Sequence, residues 1–358
     1  MFFTVRSIGF ALAFALSGAA SADVLKVPQQ FATISDAVSA AGPGDEIVVA
    51  KGAYEGNFSI SAKTDLTLRA SGKVVLKPPT MFAPSFVLAL FGCTNVTVQG
   101  FRIVAPDSLD GIRFDACSNC TIVRCRVKGG MTNVNVTASA GAYLDRCTLT
   151  DAASFGVSAF GTSAILSQCT VLRSGSTGIF ASNVLCEVRR CTVKGSASGG
   201  IQLLGLGTAI VVDNDVRDTA LGTAIATDSQ SNAIVAGNHV RGASAGVIAP
   251  GSGTTILENR FEAVTVVAID VNADHVVTRG NRITKCEVGL LLHALADEGT
   301  HEDNSLLRCA TDGIVVKGGA TDVLLERNVT RKSGGFGLRD ESGGSTTSIA
   351  NRFDSIAP

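Results

Sequence analysis

The sequence predicts an all-β fold, a parallel β-helix of about a dozen coils with three short strands in each coil. Two observations carry this prediction. One position recurs along the chain every 21 to 24 residues, and three apolar columns keep a constant distance from it. Short strands with one apolar face cannot bury that face alone, but they bury it when successive coils stack.

The recurring position defines a ladder with one residue for each coil. It begins with an aromatic residue, continues with cysteines and ends with asparagines. Its members are Phe101, Cys125, Cys147, Cys169, Cys191, Asn214, Asn238, Asn259, Asn281, Asn304, Asn328 and Asn351. We predict that asparagine suits the ladder because its amide can hydrogen-bond to the next coil and because asparagine tolerates the left-handed backbone of a tight corner.

The first residues have the features of a secretory leader. Residues 1–22 contain an apolar run, Ile8–Leu16, that is too short to span a bilayer, followed by a small-residue cleavage site at Ala20–Ala22. No later apolar stretch approaches the ~20 residues of a membrane helix. We therefore predict a signal peptide, no membrane span, and a secreted or periplasmic mature chain.

Residues 23–62 depart from the repeat and are predicted to form an N-terminal cap with the first strands. Within them, Phe31–Ala41 is an amphipathic helix with Thr33 as its N-cap, and it ends at Gly42. A helix over the open end of a solenoid covers the exposed core. Residues 63–358 are then the β-helix proper.

Composition disfavours several classes of function. The 30 Lys and Arg residues balance 31 Asp and Glu residues, so the basic excess expected of a nucleic-acid-binding protein is missing. The ten cysteines form either a metal or redox column or a column of small buried residues, and we favour the second reading. Cys117 and Cys120 have the spacing of half a zinc site, but no second half follows. We predict no metal and no cofactor.

The run from Val27 to Tyr54, followed by the repeats that begin at Asn95 and Asn119, resembles the pectin-lyase-like superfamily of right-handed β-helices. The resemblance extends over residues 23–358 and implies a right-handed coil. It implies less about activity, because that superfamily includes polysaccharide lyases, polygalacturonases, mannuronan epimerases, phage tailspikes and periplasmic proteins with no known catalysis. The catalytic signatures of its enzymes are absent, so no catalytic residue can be carried over.

Candidate site residues come from the strand that follows each recurrent glycine, since its outward face binds substrate in enzymes of that superfamily. Two outward rows are predicted. Row one contains Arg113, Asn135, Ser158, Phe180, Gln202, Ala226, Ile248, Asp270, Leu291, Val315 and Arg339. Row two contains Asp115, Thr137, Phe160, Ser182, Leu204, Asp228, Pro250, Asn272, His293, Lys317 and Glu341. We expect the polar residues of the last coils to converge.

A polysaccharide lyase or epimerase needs a base for the C5 proton and a group that neutralises the uronate carboxylate. His293, Lys317 and Asp270 are the candidate catalytic residues, with His293 or Lys317 as the base. Asn272, Arg339 and Asp228 are the candidate substrate-binding residues. Hydrolysis fits less well, because Asp228 and Asp270 lie two coils apart in different rows.

These residues predict an exported protein that binds, and cleaves or modifies, an acidic polysaccharide. The alternative is a non-catalytic periplasmic or cell-surface scaffold, which the missing signatures and the absence of Trp favour. Self-association is expected at the C-terminal end, because no capping helix follows Ile356 and an open sheet edge pairs readily.

Two features leave their interpretation open. The segment 294–303 breaks the repeat and places Gly299 and His301 where other coils carry aliphatic residues. It is either a functional site or a solvated surface loop. A stripe of arginines either holds an acidic glycan or is simply solvated. It contains Arg102, Arg124, Arg126, Arg146, Arg189 and Arg190.

Overall fold

The computed structural model describes residues 22–80, 85–161, 163–182, 185–205, 208–227 and 232–356. The predicted leader, apart from Ala22, and the candidate Asp228 lie outside the described residues. The strands form one parallel sheet that winds into about 14 turns. The predicted dozen is slightly low because the first coils turn the ladder corner within the single strands Glu46–Glu55 and Thr67–Lys77, ahead of the first predicted ladder residue, Phe101.

Each turn has three faces, which we call A, B and C in chain order. Face A precedes the ladder residue. Its strands are β1 (Val24–Val27), β6 (Thr97–Gln99), β9 (Thr121–Val123), β12 (Ala142–Asp145), β15 (Ala164–Ser167), β18 (Cys186–Arg189), β21 (Ala209–Val212), β23 (Ile234–Ala236), β25 (Thr255–Leu257), β28 (Val277–Arg279), β31 (Thr300–Glu302), β34 (Val323–Glu326) and β37 (Thr346–Ile349).

Face B follows the ladder residue. Its strands are β7 (Arg102–Ala105), β10 (Arg126–Gly129), β13 (Thr148–Thr150), β16 (Thr170–Leu172), β19 (Thr192–Lys194), β26 (Arg260–Glu262), β29 (Arg282–Thr284), β32 (Ser305–Leu307) and β35 (Val329–Arg331). Four longer strands continue around a corner. β2 (Glu46–Glu55) and β4 (Thr67–Lys77) belong to faces A and B, and β22 (Asp215–Thr227) and β24 (His239–Ala249) belong to faces B and C.

Face C carries the predicted site. Its strands are β3 (Phe58–Ser61), β5 (Phe86–Phe91), β8 (Asp110–Asp115), β11 (Thr132–Thr137), β14 (Phe155–Phe160), β17 (Thr177–Ser182), β20 (Gly199–Leu204), β27 (Val267–Val271), β30 (Val288–Leu292), β33 (Ile314–Val316) and β36 (Leu338–Asp340). The inward residues of all three faces form one buried apolar core along the solenoid axis.

The predicted capping helix is present but shorter than expected. Helix α1 spans Ile34–Ala40, and Thr33 Oγ1 accepts a hydrogen bond from Asp36 N at 3.0 Å. The residues before Thr33 are not helical because the N-cap itself has an extended backbone. Ile34, Ala37 and Val38 are buried against the first strands.

The asparagine ladder connects each coil to both of its neighbours. Asn259 Oδ1 accepts from the backbone N–H of Asn238 at 2.9 Å, and Asn259 Nδ2 donates to Val235 O at 2.8 Å. The same Nδ2 donates to Asn281 Oδ1 at 3.1 Å. Asn259 is fully buried, so these bonds satisfy polar groups that water cannot reach.

The cysteines of the ladder keep only one of these contacts, the hydrogen bond to a backbone carbonyl of the preceding coil. Cys169 Sγ donates to Leu144 O at 3.5 Å, which is the carbonyl position that an asparagine Nδ2 uses in later coils. A thiol is a weak donor and a weak acceptor. All ten cysteines are free and buried, and burial raises the pKa of Cys125 to about 11. Cys125 is therefore a protonated core residue at neutral pH.

The prediction that ladder asparagines adopt the left-handed conformation is wrong. The left-handed residue is the one before each ladder position, such as Asp213, Glu258 or Asp303, with φ of 56°, 53° and 54°. The ladder residue has a regular backbone because its amide side chain must point inward along the stack. The corner strain is therefore absorbed one residue earlier.

The irregular segment around His301 contributes to the core. His301 is fully buried in the inward column of face A, between Thr278 and Leu325. Its Nδ1 lies 3.1 Å from Thr278 Oγ1, whereas Nε2 has no described partner. A Cβ on Gly299 would lie 2.7 Å from His301 Nε2, so the glycine makes room for the ring. Gly299 and His301, the two residues that depart from the repeat, therefore belong together: the small residue accommodates the buried imidazole ring.

The C-terminal end exposes apolar surface. Strand β37 pairs with β34 on one side, and Ile349 is 47% exposed. Ile356 forms an isolated bridge with Leu338 and is 62% exposed. Among the described residues, no helix is long and apolar enough to cross a membrane.

Replacing Asn259 with alanine should lower the free energy of unfolding by about 3 kcal/mol, because it leaves buried amide and carbonyl groups of two coils without partners. Asn351→Ala is the matched control. Asn351 makes the same contacts to Asn328 and Leu325 but is only partly buried, so water can replace it. Unfolding midpoints in urea measure both, and equal losses would contradict the ladder's role.

His301 should make the fold acid-sensitive. Burial lowers its pKa from 6.5 to about 3, so the unfolded chain binds a proton below pH 6.5 that the folded chain does not bind until about pH 3. Stability is therefore lost as pH falls through that window. His301→Leu, which copies Leu325, should reduce the difference in unfolding midpoint between pH 7 and pH 4. His275→Gln should not reduce this difference, because the hydrogen bond to Asp274 raises the pKa of His275, which is the opposite direction.

Candidate functional site

The outward rows predicted on face C are present and in register. Backbone pairing joins successive row-one residues from Arg113 to Arg339 without a slip. Row two follows the same register from Asp115 to Leu204. Because parallel neighbours lie ~4.8 Å apart, side chains of adjacent coils in one row are in contact range.

Two of the candidate catalytic residues form a dyad. His293 Nε2 lies 2.8 Å from Asp270 Oδ1. Asp270 is in row one, and His293 is in row two of the next coil, so the contact runs diagonally between coils. Burial raises the pKa of the Asp270 carboxyl, although His293 opposes this effect. His293 keeps 38% of its side chain exposed, so the ring remains open to a ligand.

Asn272 and Lys317 flank this dyad in row two. Asn272 precedes His293 by one coil, and Lys317 follows it by one coil, as the pairing of Val271 with Leu292 and of Leu292 with Val316 shows. Lys317 Nζ lies 3.3 Å from Glu341 Oε2. Both side chains of that ion pair are exposed, so a charged ligand can compete with it at little cost.

A pocket adjoins the dyad where face C ends. It has a volume of about 360 Å³ and is lined by Pro250, Ser252, Asn272, Ala273, Asp274, Leu295 and Asp297. Asn272 belongs to both the pocket and row two. Beside it, His275 Nδ1 lies 3.0 Å from Asp274 and His275 Nε2 lies 2.9 Å from Glu298. The irregular segment 294–303 thus supplies part of the pocket wall.

Arg339 lies away from the dyad. It donates to Asp312 through Nε at 2.9 Å and through Nη2 at 3.3 Å. Asp312 is largely buried and also accepts from Phe336 N at 2.8 Å. This pairing raises the pKa of Arg339. Arg339 therefore holds two coils together and has little capacity left for a ligand carboxylate.

The Arg339 pair belongs to a recurring diagonal contact that sequence reasoning missed. The first residue of a face C turn contacts the row-one residue of the next coil. Asp110 accepts from Asn135 Nδ2 at 2.9 Å, and Thr177 Oγ1 donates to Gln202 Oε1 at 3.0 Å. The shared Asp-Gly dipeptide at Asp110 and Asp312 was the available signal.

The same diagonal contact has an apolar form in the middle coils. The rings of Phe155 and Phe180 are 5.4 Å apart, and Phe160 lies at the same distance from Phe180. At Asp270 the diagonal position is occupied by Ala245. Since alanine offers no hydrogen bond, the Asp270 carboxylate turns to His293 instead. No side-chain hydrogen bond from that diagonal position therefore competes with the Asp270–His293 pair at this coil.

Some arginines of the predicted stripe form ion pairs with neighbouring carboxylates, and others form none with a described residue. Arg146 pairs with Asp145 at 2.7 Å, and Arg189 pairs with Glu187. Arg102 and Arg126 are stacked in register on face B and form no ion pair with a described residue. Within the described ranges, no group of three or more His, Cys, Asp or Glu side chains is placed to hold a metal ion.

Solved structures with the same fold come from enzymes and phage proteins. The chain superposes on the catalytic unit of a GH87 α-1,3-glucanase from Streptomyces thermodiastaticus with a TM-score of 0.54 at 14% identity, over 90% of this chain and 65% of the other. It superposes on the Dettilon tailspike protein with a TM-score of 0.52 at 15% identity, over 82% and 63%. For bacteriophage CBA120 tailspike protein 3 the TM-score is 0.55 at 9% identity, over 87% and 57%.

These likenesses concern the fold, and the chain spans less than two thirds of each of the three proteins. A search of curated protein sequences finds no match. The family model described as "right handed beta helix region" matches residues 87–239 and 223–357. With the stacked parallel coils and the inward ladder, this match shows that the chain belongs to the right-handed β-helix family.

Proposed function

We propose that this chain is an exported protein that binds an acidic polysaccharide along face C and modifies it at the Asp270–His293 dyad. The observation that carries the proposal is the 2.8 Å contact between His293 Nε2 and Asp270 Oδ1 on an outward face, beside a pocket of about 360 Å³. Export rests on the predicted leader at residues 1–22.

The comparisons support a carbohydrate ligand. One neighbour in fold is an α-1,3-glucanase and two are phage tailspikes, so this scaffold is compatible with action on a polysaccharide. Function depends on the site rather than on the fold. The dyad, Asn272 and Lys317 are therefore the residues that a substrate must contact.

In the proposed reaction, His293 is the base. With Nε2–H donating to Asp270, the Nδ1 lone pair is free to take the C5 proton of a uronate ring. The Asp270 carboxylate then stabilises the imidazolium and acts as a positioning residue. Lys317, one coil further, exchanges Glu341 for the substrate carboxylate and offsets the charge that develops on it. The imidazolium then gives this proton to the C4 oxygen as the C4–O bond breaks and the C4=C5 double bond forms, which yields an unsaturated product. A water proton delivered to the opposite face of C5 instead yields an epimer.

The alternative proposal is a non-catalytic scaffold, and one observation favours it. Arg339 is occupied by Asp312, and Lys317 is neutralised by Glu341, so face C holds few uncompensated cations near the dyad. A binding protein tolerates this arrangement, whereas a lyase has to displace Glu341 first.

Purified protein incubated with polygalacturonate, alginate or a glycosaminoglycan should produce ultraviolet absorbance from unsaturated uronate, or a changed uronate composition by NMR. His293→Ala should lower the rate at least about 100-fold, which is typical of losing a general base. His239→Ala is the matched control, because His239 is similarly exposed and also faces an aspartate, but on face B. No product with any polymer would leave the scaffold proposal standing.

Asp270 should contribute to the acid limb of the pH profile, in addition to proton uptake by the base itself. Burial raises its pKa, so as pH falls its carboxylate is lost at a higher pH than for an ordinary aspartate, and His293 loses its positioning partner. Rate should therefore rise with pH through that limb. Asp270→Asn should remove the contribution of this carboxylate to the limb and lower kcat more than it changes KM. An unchanged profile in the variant would exclude this role.

We also propose that two copies associate through the C-terminal end, because β37 pairs with β34 alone among the described strands and the apolar residues Ile349 and Ile356 are exposed there. Light scattering should give a mass above that of one chain, and Ile349→Lys should restore the single-chain mass. A single-chain mass for the unaltered protein at micromolar concentration would contradict association.

A further inference from the structure

The corner between faces B and C carries one left-handed residue in each coil, and we call this series the B–C corner column. Each member has a positive φ, and most are charged or glycine. In chain order they are Asp151, Arg173, Gly195, Asp218, Gly242, Ala263, Lys285, Arg308 and Lys332. The column is thus mixed in charge over its first part and entirely cationic over its last three coils.

The early charges of this column compensate each other. Arg173 Nε lies 2.6 Å from Asp151 Oδ1, and Asp218 lies 3.5 Å from Lys194 Nζ on the preceding coil. These contacts are what stacked coils normally allow, because side chains of adjacent coils in one column are neighbours.

The last three members have no such compensation. Lys285 N donates to Leu307 O, and Arg308 N donates to Arg331 O, so Lys285, Arg308 and Lys332 occupy consecutive coils in register. None of the three forms an ion pair with a described residue. Like charges stacked ~4.8 Å apart oppose each other, and a bound anion would relieve that repulsion.

A pocket lies on this cationic stack. It has a volume of about 450 Å³, within the range of small-ligand sites, and Lys285 and Arg308 line it. Its apolar part comes from Ala263, Val264, Cys286 and Ala310, of which Val264 and Cys286 are buried. Glu287 is the one acidic residue of the lining, so the site keeps a net positive charge. An apolar surface beside cations suits a ring that carries an anionic group.

We propose that the B–C corner at Lys285, Arg308 and Lys332 is a second binding site, outside face C, for the carboxylate or sulfate groups of an acidic polysaccharide. The spacing of the three cations is comparable to the length of one sugar ring, so successive charged rings can each meet one of them. The anion preference follows from the cations and the pocket, and the sugar part rests on the proposed function.

Nucleic acid fits this site less well. Recognition of single strands depends on aromatic side chains on which bases stack, whereas the pocket lining contains none. The balanced net charge of the chain also lacks the excess that phosphate backbones require.

The test is affinity electrophoresis of the full chain in gels containing polygalacturonate, dextran sulfate, polyglutamate or neutral dextran. The unaltered protein should be retarded by the two acidic polysaccharides and not by dextran. The variant Lys285→Gln/Arg308→Gln/Lys332→Gln should bind about tenfold more weakly, because three exposed charge contacts each contribute a few-fold. Added salt should weaken the unaltered protein more than the variant. Retardation by only one of the two acidic polymers identifies the anionic group.

The matched control removes three exposed cations from the N-terminal coils, Lys26→Gln/Lys51→Gln/Lys73→Gln. It should keep nearly full affinity, and equal losses in both triple variants would reduce the effect to net charge and overturn the proposal. Equal retardation by polyglutamate would overturn the sugar part, and no retardation of the unaltered protein would overturn the whole. Lys285→Arg/Lys332→Arg should bind normally, which separates charge loss from misfolding.

This outcome is distinguishable from that of the catalytic proposal. His293→Ala should abolish product formation without changing retardation, because the two sites lie on different faces. Retardation without product from any polymer would support the corner site while contradicting catalysis. Product formation, with equal retardation of the unaltered protein and of the Lys285→Gln/Arg308→Gln/Lys332→Gln variant, would support catalysis and contradict the corner site.

Discussion

Coil-to-coil hydrogen bonding at the ladder is the interaction on which the rest of the structure depends. A parallel β-helix has no local element that is stable alone, so the register of each coil must be fixed by its neighbours. The buried amides do this in the C-terminal half, where each one bonds to the coil before and the coil after. Any slip would leave several buried polar groups without partners.

The cysteine half of the ladder is held differently. A thiol such as that of Cys169 keeps only the weak donor contact to the preceding coil, so register there depends more on apolar packing and on the outward diagonal contacts. The Asp110–Asn135 and Thr177–Gln202 hydrogen bonds occur in that half. The outer face thus adds polar register contacts there, as Arg339 and Asp312 do among the asparagine coils.

The same diagonal geometry decides which outward groups are available for chemistry. Where a polar residue begins the preceding turn of face C, the row-one side chain is engaged in structure, as Arg339 is by Asp312. Where Ala245 occupies that position, Asp270 is free to meet His293. The candidate site therefore lies where one structural contact is missing. The B–C corner column follows the same rule: its early charges pair with neighbouring side chains, whereas Lys285, Arg308 and Lys332 form no ion pair with a described residue and remain available to a ligand.

The sequence by itself determined the fold, because residues that lie one period apart in the sequence become neighbours on adjacent coils when the coils stack. It predicted row one in correct register and row two in correct register from Asp115 to Leu204, and it placed Asp270 and His293 on adjacent coils. It could not show that Arg339 is engaged by Asp312, nor that His301 contacts Thr278, because both contacts join side chains of adjacent coils more than 20 residues apart. It also placed the left-handed residue one position too late. Which charges neutralise each other, and which remain free to bind, was decided only by the tertiary structure, since pairing depends on diagonal distances that a linear repeat does not contain.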